Sequence, residues 1–289
     1  MGTASELQDV VTVHCEQHCL DSGVFYRHWP VSGSGQSPVR AVILMVHGLG
    51  EHSGRYENFA RYFNSEGVAV VAPDHLGHGR SPGVRGHIDS FSDYLAPLDE
   101  LRGKIREWYP QSPCFLVGHS LGGLIAVRHL IERQDGFDGA ALSAAALQVA
   151  VPPSKLLLIV TRLLAAVRPT LGVMQLEATE ISRDPDVVQR YVDDPMVHHG
   201  KISAGLVINL FKAMAEVEEG SSRVSLPLLI MHGEKDVMTS PAGSVALHGA
   251  LGSADKSLSL YPGLFHELFN EPERLEVLAE LRDWIQARA

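Results

Sequence analysis

Three cysteines, Cys15, Cys19 and Cys114, are too few and too odd in number to form a disulfide framework in a chain of 289 residues. Met1 to Leu20 carries acids and histidines where a secretion signal would have a basic head and an apolar run. The expectation from that absence is a cytosolic protein, at most peripheral to a membrane. No basic helix offers electrostatic docking to anionic lipid, and a net charge of −10 argues against nucleic acid as a partner. No apolar run reaches the ~20 residues of a membrane span. There is no internal repeat and no low-complexity tract. The Gly-rich stretch Ser32 to Pro38 lacks the Gly-Lys-Ser/Thr of a phosphate loop and reads as a surface turn. His14-Cys15-x-x-His18-Cys19 resembles half of a zinc site, but no second ligand pair has matching spacing. The segment reads instead as an early strand, Val10 to Glu16, so neither a metal nor a cofactor is expected.

What is present suits a large packed core. Hydrophobic residues make up 45% and charged ones 20%, which excludes general disorder. The length is generous for one domain, though α/β enzymes with one core and an inserted lid reach it. Short apolar runs such as Ala41 to Val46, Val68 to Pro73, Cys114 to Val117 and Leu226 to Met231 alternate with helical patterns, including Tyr94 to Tyr109. This alternation predicts a mostly parallel sheet with helices on both faces. The rhythm breaks between Leu147 and Val224, which contains no good alternating run. We therefore expect a core of residues 1–146 and 225–289 with a helical cap inserted at 147–224. Within it, Lys155 to Val167 is a helix apolar on nearly every side. It is either a buried helix or a cap helix whose outer face receives an acyl chain or touches lipid; its place in the middle of the core favours the cap.

Gly118-His119-Ser120-Leu121-Gly122 stands between the strand Cys114 to Val117 and the helical run from Gly123 to Leu130. Strand, Gly-x-Ser-x-Gly, helix is the context of a nucleophile elbow, in which the glycines permit a sharp turn and the serine stands exposed. A serine hydroxyl needs a base and a carboxylate to orient that base, in the chain order Ser, Asp or Glu, His. Asp236 follows the strand pattern ending at Met231, and His266 follows the alternating run Ser257 to Tyr261. Glu234 competes with Asp236, but reads as a solvated loop acid. His232 and His248 fit the base position less well than His266, the first ending a strand and the second lying on a helix. The oxyanion of the tetrahedral intermediate needs donors. The Leu121 N–H, next after the serine, and the Leu49 N–H, in the loop His47-Gly48-Leu49-Gly50, are the candidates.

His47-Gly48-Leu49-Gly50-Glu51-His52-Ser53-Gly54-Arg55-Tyr56 resembles the oxyanion loop of the monoacylglycerol lipase and lysophospholipase branch of the α/β-hydrolases. Asp74-His75-Leu76-Gly77-His78-Gly79-Arg80-Ser81, Gly118 to Gly123, His232-Gly233-x-x-Asp236 and His266-Glu267 follow in the same order. The resemblance spans residue 24 to the C-terminus. It implies an α/β-hydrolase fold with a lid, no cofactor, and hydrolysis of carboxylic esters of lipid-like substrates, monoacylglycerol first among them. It makes Ser120 the nucleophile, His266 the base and then acid, Asp236 its orienter, and Leu49 and Leu121 the oxyanion donors. Glu51 and Arg55 match residues that brace the oxyanion loop and the glycerol end of the pocket, and Tyr191 matches a cap tyrosine near the substrate head. Where some members have a second histidine three residues after the catalytic one, this chain has Phe269. A transient lipid-surface contact through the cap is the macromolecular interaction expected. A short-chain esterase, a lysophospholipase or a non-catalytic relative are the alternatives.

Overall fold

A computed structural model describes residues 13–31, 39–175 and 178–289. The central sheet has eight strands in the order β1-β2-β4-β3-β5-β6-β9-β10. They are β1 (Glu16–Cys19), β2 (Phe25–Trp29), β3 (Ala41–Val46), β4 (Val68–Pro73), β5 (Cys114–His119), β6 (Gly139–Ser143), β9 (Leu228–Gly233) and β10 (Lys256–Tyr261). From β4 across to β10 every pairing is parallel, while β1 and β2 add an antiparallel edge. The Ser32–Pro38 turn and residues 10–12 of the expected Val10–Glu16 strand lie outside the described residues, and Val13 to Cys15 are not in a strand. The first strand begins only at Glu16, where that expectation ended.

Connecting helices are α1 (Glu57–Ser65), α2 (Ala96–Trp108), α3 (Leu121–Glu132), α7 (Pro241–Ala250) and α8 (Arg274–Gln286). Every residue of β3 is buried, because both faces of the sheet are covered. Val42, Leu44 and Val46 pack with Leu98 and Leu101 of α2 and Leu124 of α3. Ala41, Ile43 and Met45 point the other way, onto Phe59 and Phe63 of α1 and Leu281 and Trp284 of α8. That alternation along one strand creates two core layers.

Between β6 and β9 the chain forms α4 (Lys155–Val167), α5 (Pro185–Asp193) and α6 (Ala204–Gly220). A small antiparallel pair, β7 (Gly172–Met174) with β8 (Ile202–Ser203), lies among them. The sequence reading missed this pair, since strands of three and two residues are too short to show a period. α6 packs on α3 and contributes Leu206, Leu210 and Val217 to the same core layer as β3. α4 rests on α6 with Ser154 capping its start, and Thr161 is its one buried residue. Leu156, Leu157, Ile159, Val160, Leu163 and Val167 are exposed, which rules out the buried-helix reading. No helix among the described residues is long and apolar enough to cross a membrane.

Among the described glycines, the one with the least room for a side chain is Gly122, where α3 lies against the end of β3. A Cβ on Gly122 would stand 1.9 Å from the Val46 carbonyl oxygen, whereas one on Gly103 in α2 would meet nothing within 4 Å. Gly122→Ala is therefore expected to lower the unfolding free energy by about 3 kcal/mol or more. Gly103→Ala should raise it by about 0.8 kcal/mol through helix propensity. Urea denaturation midpoints of the two variants check both directions.

Candidate active site

The loops that follow β3, β4, β5, β9 and β10 gather at the carboxyl ends of the parallel strands, where open α/β sheets collect reactive groups. Ser120 forms the turn between β5 and α3, with φ 52° and ψ −116°. A non-glycine residue there carries strain on the order of 1–3 kcal/mol and keeps that conformation only where its surroundings over-determine it. They do. The Ser120 N–H donates to Ser143 O at 2.9 Å, and its carbonyl accepts from Gly123, Leu124 and Ala146. A Cβ at Gly118 would meet the Gly122 carbonyl oxygen at 2.4 Å, and one at Gly123 would meet Ala145 Cβ at 2.5 Å. All three glycines of the elbow are thus set by close packing. Ala144, just after β6, also has a positive φ of 48°, a second strained position that the sequence did not signal.

His266 lies past β10 and Asp236 past β9, both buried. The His266 Nδ1–H donates to Asp236 Oδ2 at 2.7 Å, which leaves Nε2 as an acceptor, the form required of a base. Asp236 is held by more than this bond. Its Oδ2 also accepts from Thr239 Oγ1 at 2.8 Å and from His232 Nε2 at 3.1 Å. Its Oδ1 accepts the Met238 and Thr239 N–H groups. Burial alone would raise the Asp236 pKa, but His266 and these donors hold it far below the usual carboxylate range. Burial likewise opposes a charged His266, yet the Asp236 carboxylate outweighs it and the imidazole pKa is raised above 6.5. Glu234, two residues before Asp236, is exposed.

Two residues that touch Asp236 were not given that role by the sequence reading. His232 bridges Asp236 and Ser244, and its spacing of four residues from the acid was the available sign. Thr239 had no sign at all. His119, inside the elbow motif, packs its ring 4.8 Å from that of His266 and donates through Nδ1 to Ser143 O. Burial, reinforced by the nearby His266, pushes His119 down to about 4, so it stays neutral.

The loop after β3 closes over Ser120. A Cβ on Gly48 would lie 3.3 Å from Ser120 Cβ. Among the described residues neither the Leu49 nor the Leu121 N–H donates to a protein acceptor. At Leu121 this follows from its place at the first turn of α3. The two amides flank the serine as unused donors. The Ser120 hydroxyl carries no hydrogen bond among the described residues, and such contacts commonly tighten only around a substrate.

The loop is braced from beneath by neutral histidines. His75 N donates to His47 Nε2, and His75 Nε2 donates back to the His47 carbonyl, both at 3.0 Å. Burial keeps both rings well below 6.5. Asp74 accepts from the Ser53 and Arg80 amides, locking the loop after β4 onto the loop after β3. Glu51 accepts from Gly48 N at 2.6 Å and from the Tyr56 hydroxyl at 2.7 Å. Arg55 donates to Glu51 and forms a two-pronged pair with Glu267. Tyr191 of α5 comes down over this loop, with the Arg55 guanidinium 4.7 Å from its ring centroid. The same segment is bonded to the loop by His198 N to Gly50 O, at 2.7 Å, and by His52 Nε2 to Asp194 Oδ2, at 2.9 Å. Phe269 packs on Phe59, 5.0 Å between ring centroids.

A hydroxyl on a strained turn, a carboxylate-oriented imidazole and two unused amides are the parts needed for acyl transfer. Residues 37–273 match the family described as serine aminopeptidase, S33. The chain is 38% identical over 246 residues to a monoacylglycerol lipase of Mycolicibacterium smegmatis, covering 85% of this chain and 88% of that protein. It is 33% identical over 268 residues to the monoglyceride lipase of Rattus norvegicus, covering 92% and 87%. Among solved structures, the Paleococcus ferrophilus monoacylglycerol lipase superposes with a TM-score of 0.82 at 32% identity, over 92% of this chain and 99% of that one.

The bond between His266 and Asp236 makes a direct prediction. The His266 ring should titrate above the ordinary histidine value of about 6.5. In Asp236→Asn it should titrate below that value, because burial is then unopposed. NMR of the ring protons across pH 5–9 reads both; equal midpoints in the two proteins would contradict the geometry.

Proposed function

The chain belongs to the serine aminopeptidase S33 family of the α/β-hydrolases and is a serine ester hydrolase; we propose that it cleaves monoacylglycerols to glycerol and free fatty acid. In this reading Ser120 Oγ attacks the ester carbonyl while His266 Nε2 takes its proton. The oxyanion is held by the Leu49 and Leu121 N–H groups. His266 then gives the proton to the departing glycerol oxygen, and Asp236 keeps the imidazolium oriented throughout. Water, deprotonated by His266, attacks the acyl-Ser120 ester and releases the fatty acid. The observation that carries the reading is the strained Ser120 standing beside two unused amides, at the same sheet end as the buried Asp236–His266 pair. The names of the relatives support the choice of substrate.

Residues 147–224 serve in this reading as the cap, seated on the core through α6. Tyr191, Glu51 and Arg55 sit where cap and oxyanion loop meet, beneath the glycerol end of the substrate. The outward apolar face of α4 suits a transient contact with a lipid surface. Full burial of one such side chain contributes about 1.5–3 kcal/mol, so partial insertion of several outweighs the net negative charge of the chain.

Steady-state hydrolysis of monoacylglycerols of graded chain length tests the proposal. A short p-nitrophenyl ester, a lysophospholipid and an aminoacyl anilide serve as comparisons. We expect the kcat/KM maximum on medium or long monoacylglycerols, and a fall of at least ~10⁴-fold in Ser120→Ala. A maximum on the short ester or the anilide would remove the lipid substrate. For the cap, Leu157→Glu with Leu163→Glu should slow hydrolysis of monoacylglycerol held in vesicles while leaving the soluble short ester unaffected. Equal rates on vesicles before and after substitution would remove the lipid contact.

A further inference from the structure

We propose that Glu267 is a positioning residue that, through Arg55, ties the loop carrying His266 to the loop carrying the oxyanion donors; this rests on the roles of Ser120, His266 and Leu49 proposed above. The connection is continuous. Arg55 Nη1 donates to Glu267 Oε1 at 2.7 Å and Nη2 to Glu267 Oε2 at 2.8 Å. Nη1 also donates to Glu51 Oε2 at 2.7 Å. The other oxygen of Glu51 accepts the Gly48 N–H, which precedes Leu49 by one residue. At the opposite end, Glu267 follows His266 directly, and its own N–H is anchored on the Ile181 carbonyl at 2.8 Å. From the amide beside the oxyanion donor to the backbone of the base there is thus one carboxylate, one guanidinium and a second carboxylate.

The arrangement has two consequences. A two-pronged arginine–carboxylate pair fixes orientation as well as distance, so the spacing between the two loops is set by planar groups. The Glu51, Arg55 and Glu267 side chains are 4%, 10% and 5% exposed, so their charges act in a poorly screened setting. Two carboxylates and one guanidinium leave one negative charge in excess beside His266. The other titratable groups facing His266 are Asp236, bonded to it, His119, stacked near it, and His232 on the far side of Asp236. Burial keeps His119 neutral, and Asp236 together with the excess charge of the network favours the imidazolium. Burying three charges is costly, and apolar replacements of the same volume are often as stable. A need to hold both loops in register accounts for the charges being there.

The test is the pH profile of kcat/KM on a soluble ester for wild type, Glu267→Gln, Glu267→Asp and Arg55→Lys. Glu267→Gln keeps the shape and removes the charge. We expect its acid limb to move to lower pH by on the order of half a unit or more, because the imidazolium loses a favourable neighbour. Plateau kcat should fall about tenfold with KM within about twofold, the pattern of an interaction that matters in the transition state. Glu267→Asp keeps the charge and should return the acid limb to its wild-type position. A cavity with room for about one water borders Arg55, His119, Glu267 and Asn270, so the shorter acid can be bridged. Arg55→Lys keeps the charge count but loses the fork, and should lower kcat even where Glu267→Gln does not fold. An unmoved acid limb in Glu267→Gln, a change in KM alone, or full kcat in Arg55→Lys would each overturn the inference. A wild type without ester hydrolysis would instead overturn the catalytic reading on which it rests.

Discussion

The backbone of Ser120 can occupy its left-handed conformation because α3 is allowed to lie directly against the end of β3. The contact between Gly122 and the Val46 carbonyl oxygen admits no side chain, and it governs several other distances at once. It brings the first turn of α3, with its unused Leu121 amide, alongside the loop that carries Leu49. It sets Ser120 next to Gly48, and it places His119 where its ring can lie against His266. The strain stored at one residue is spread over the four hydrogen bonds of its peptide groups, three glycine contacts and the parallel register of β3, β5 and β6. A turn held this firmly has little freedom to relax, which is what a reactive hydroxyl at a defined height above a sheet requires.

A chain with fifteen histidines concentrates its electrostatics on one of them. His47, His75 and His119 are buried where their rings bond to backbone carbonyls, and desolvation keeps them neutral. They act as brackets between loops. His266 combines burial with a hydrogen bond to a carboxylate that accepts five in all, and its pKa rises where those of His47, His75 and His119 fall. For these four rings the same burial has opposite outcomes: it keeps the three that bond backbone carbonyls neutral, while at His266 the Asp236 carboxylate outweighs it.

Much of this was readable before any coordinates. The parallel sheet followed from apolar runs of strand length between helical periods, and Ser120, Asp236 and His266 were singled out because each follows a strand. What was hidden depends on long-range packing. Thr239 and His232 reach Asp236 only because the loop after β9 folds back on itself. The pairing of Glu267 with Arg55 joins residues 212 positions apart. The resemblance had Glu51 and Arg55 brace the oxyanion loop and the glycerol end of the pocket, but which neighbours they bond, Gly48, Tyr56 and Glu267, shows only in the fold. Helix α4 is apolar on nearly all sides, so periodicity could not separate a buried helix from an exposed one. Only the position of α6 beneath it decides. The pair β7–β8 and the start of β1 were lost because a period needs more residues than they contain.

The account rests on Ser120 being the group activated by His266, and active-site phosphonylation measures that most directly. Intact-mass and peptide-mass analysis after treatment with a fluorophosphonate should show a single adduct on Ser120. Its rate of formation should fall together with ester hydrolysis in Asp236→Asn and His266→Ala. An adduct on another residue, or a labelling rate indifferent to the loss of His266, would contradict the mechanism.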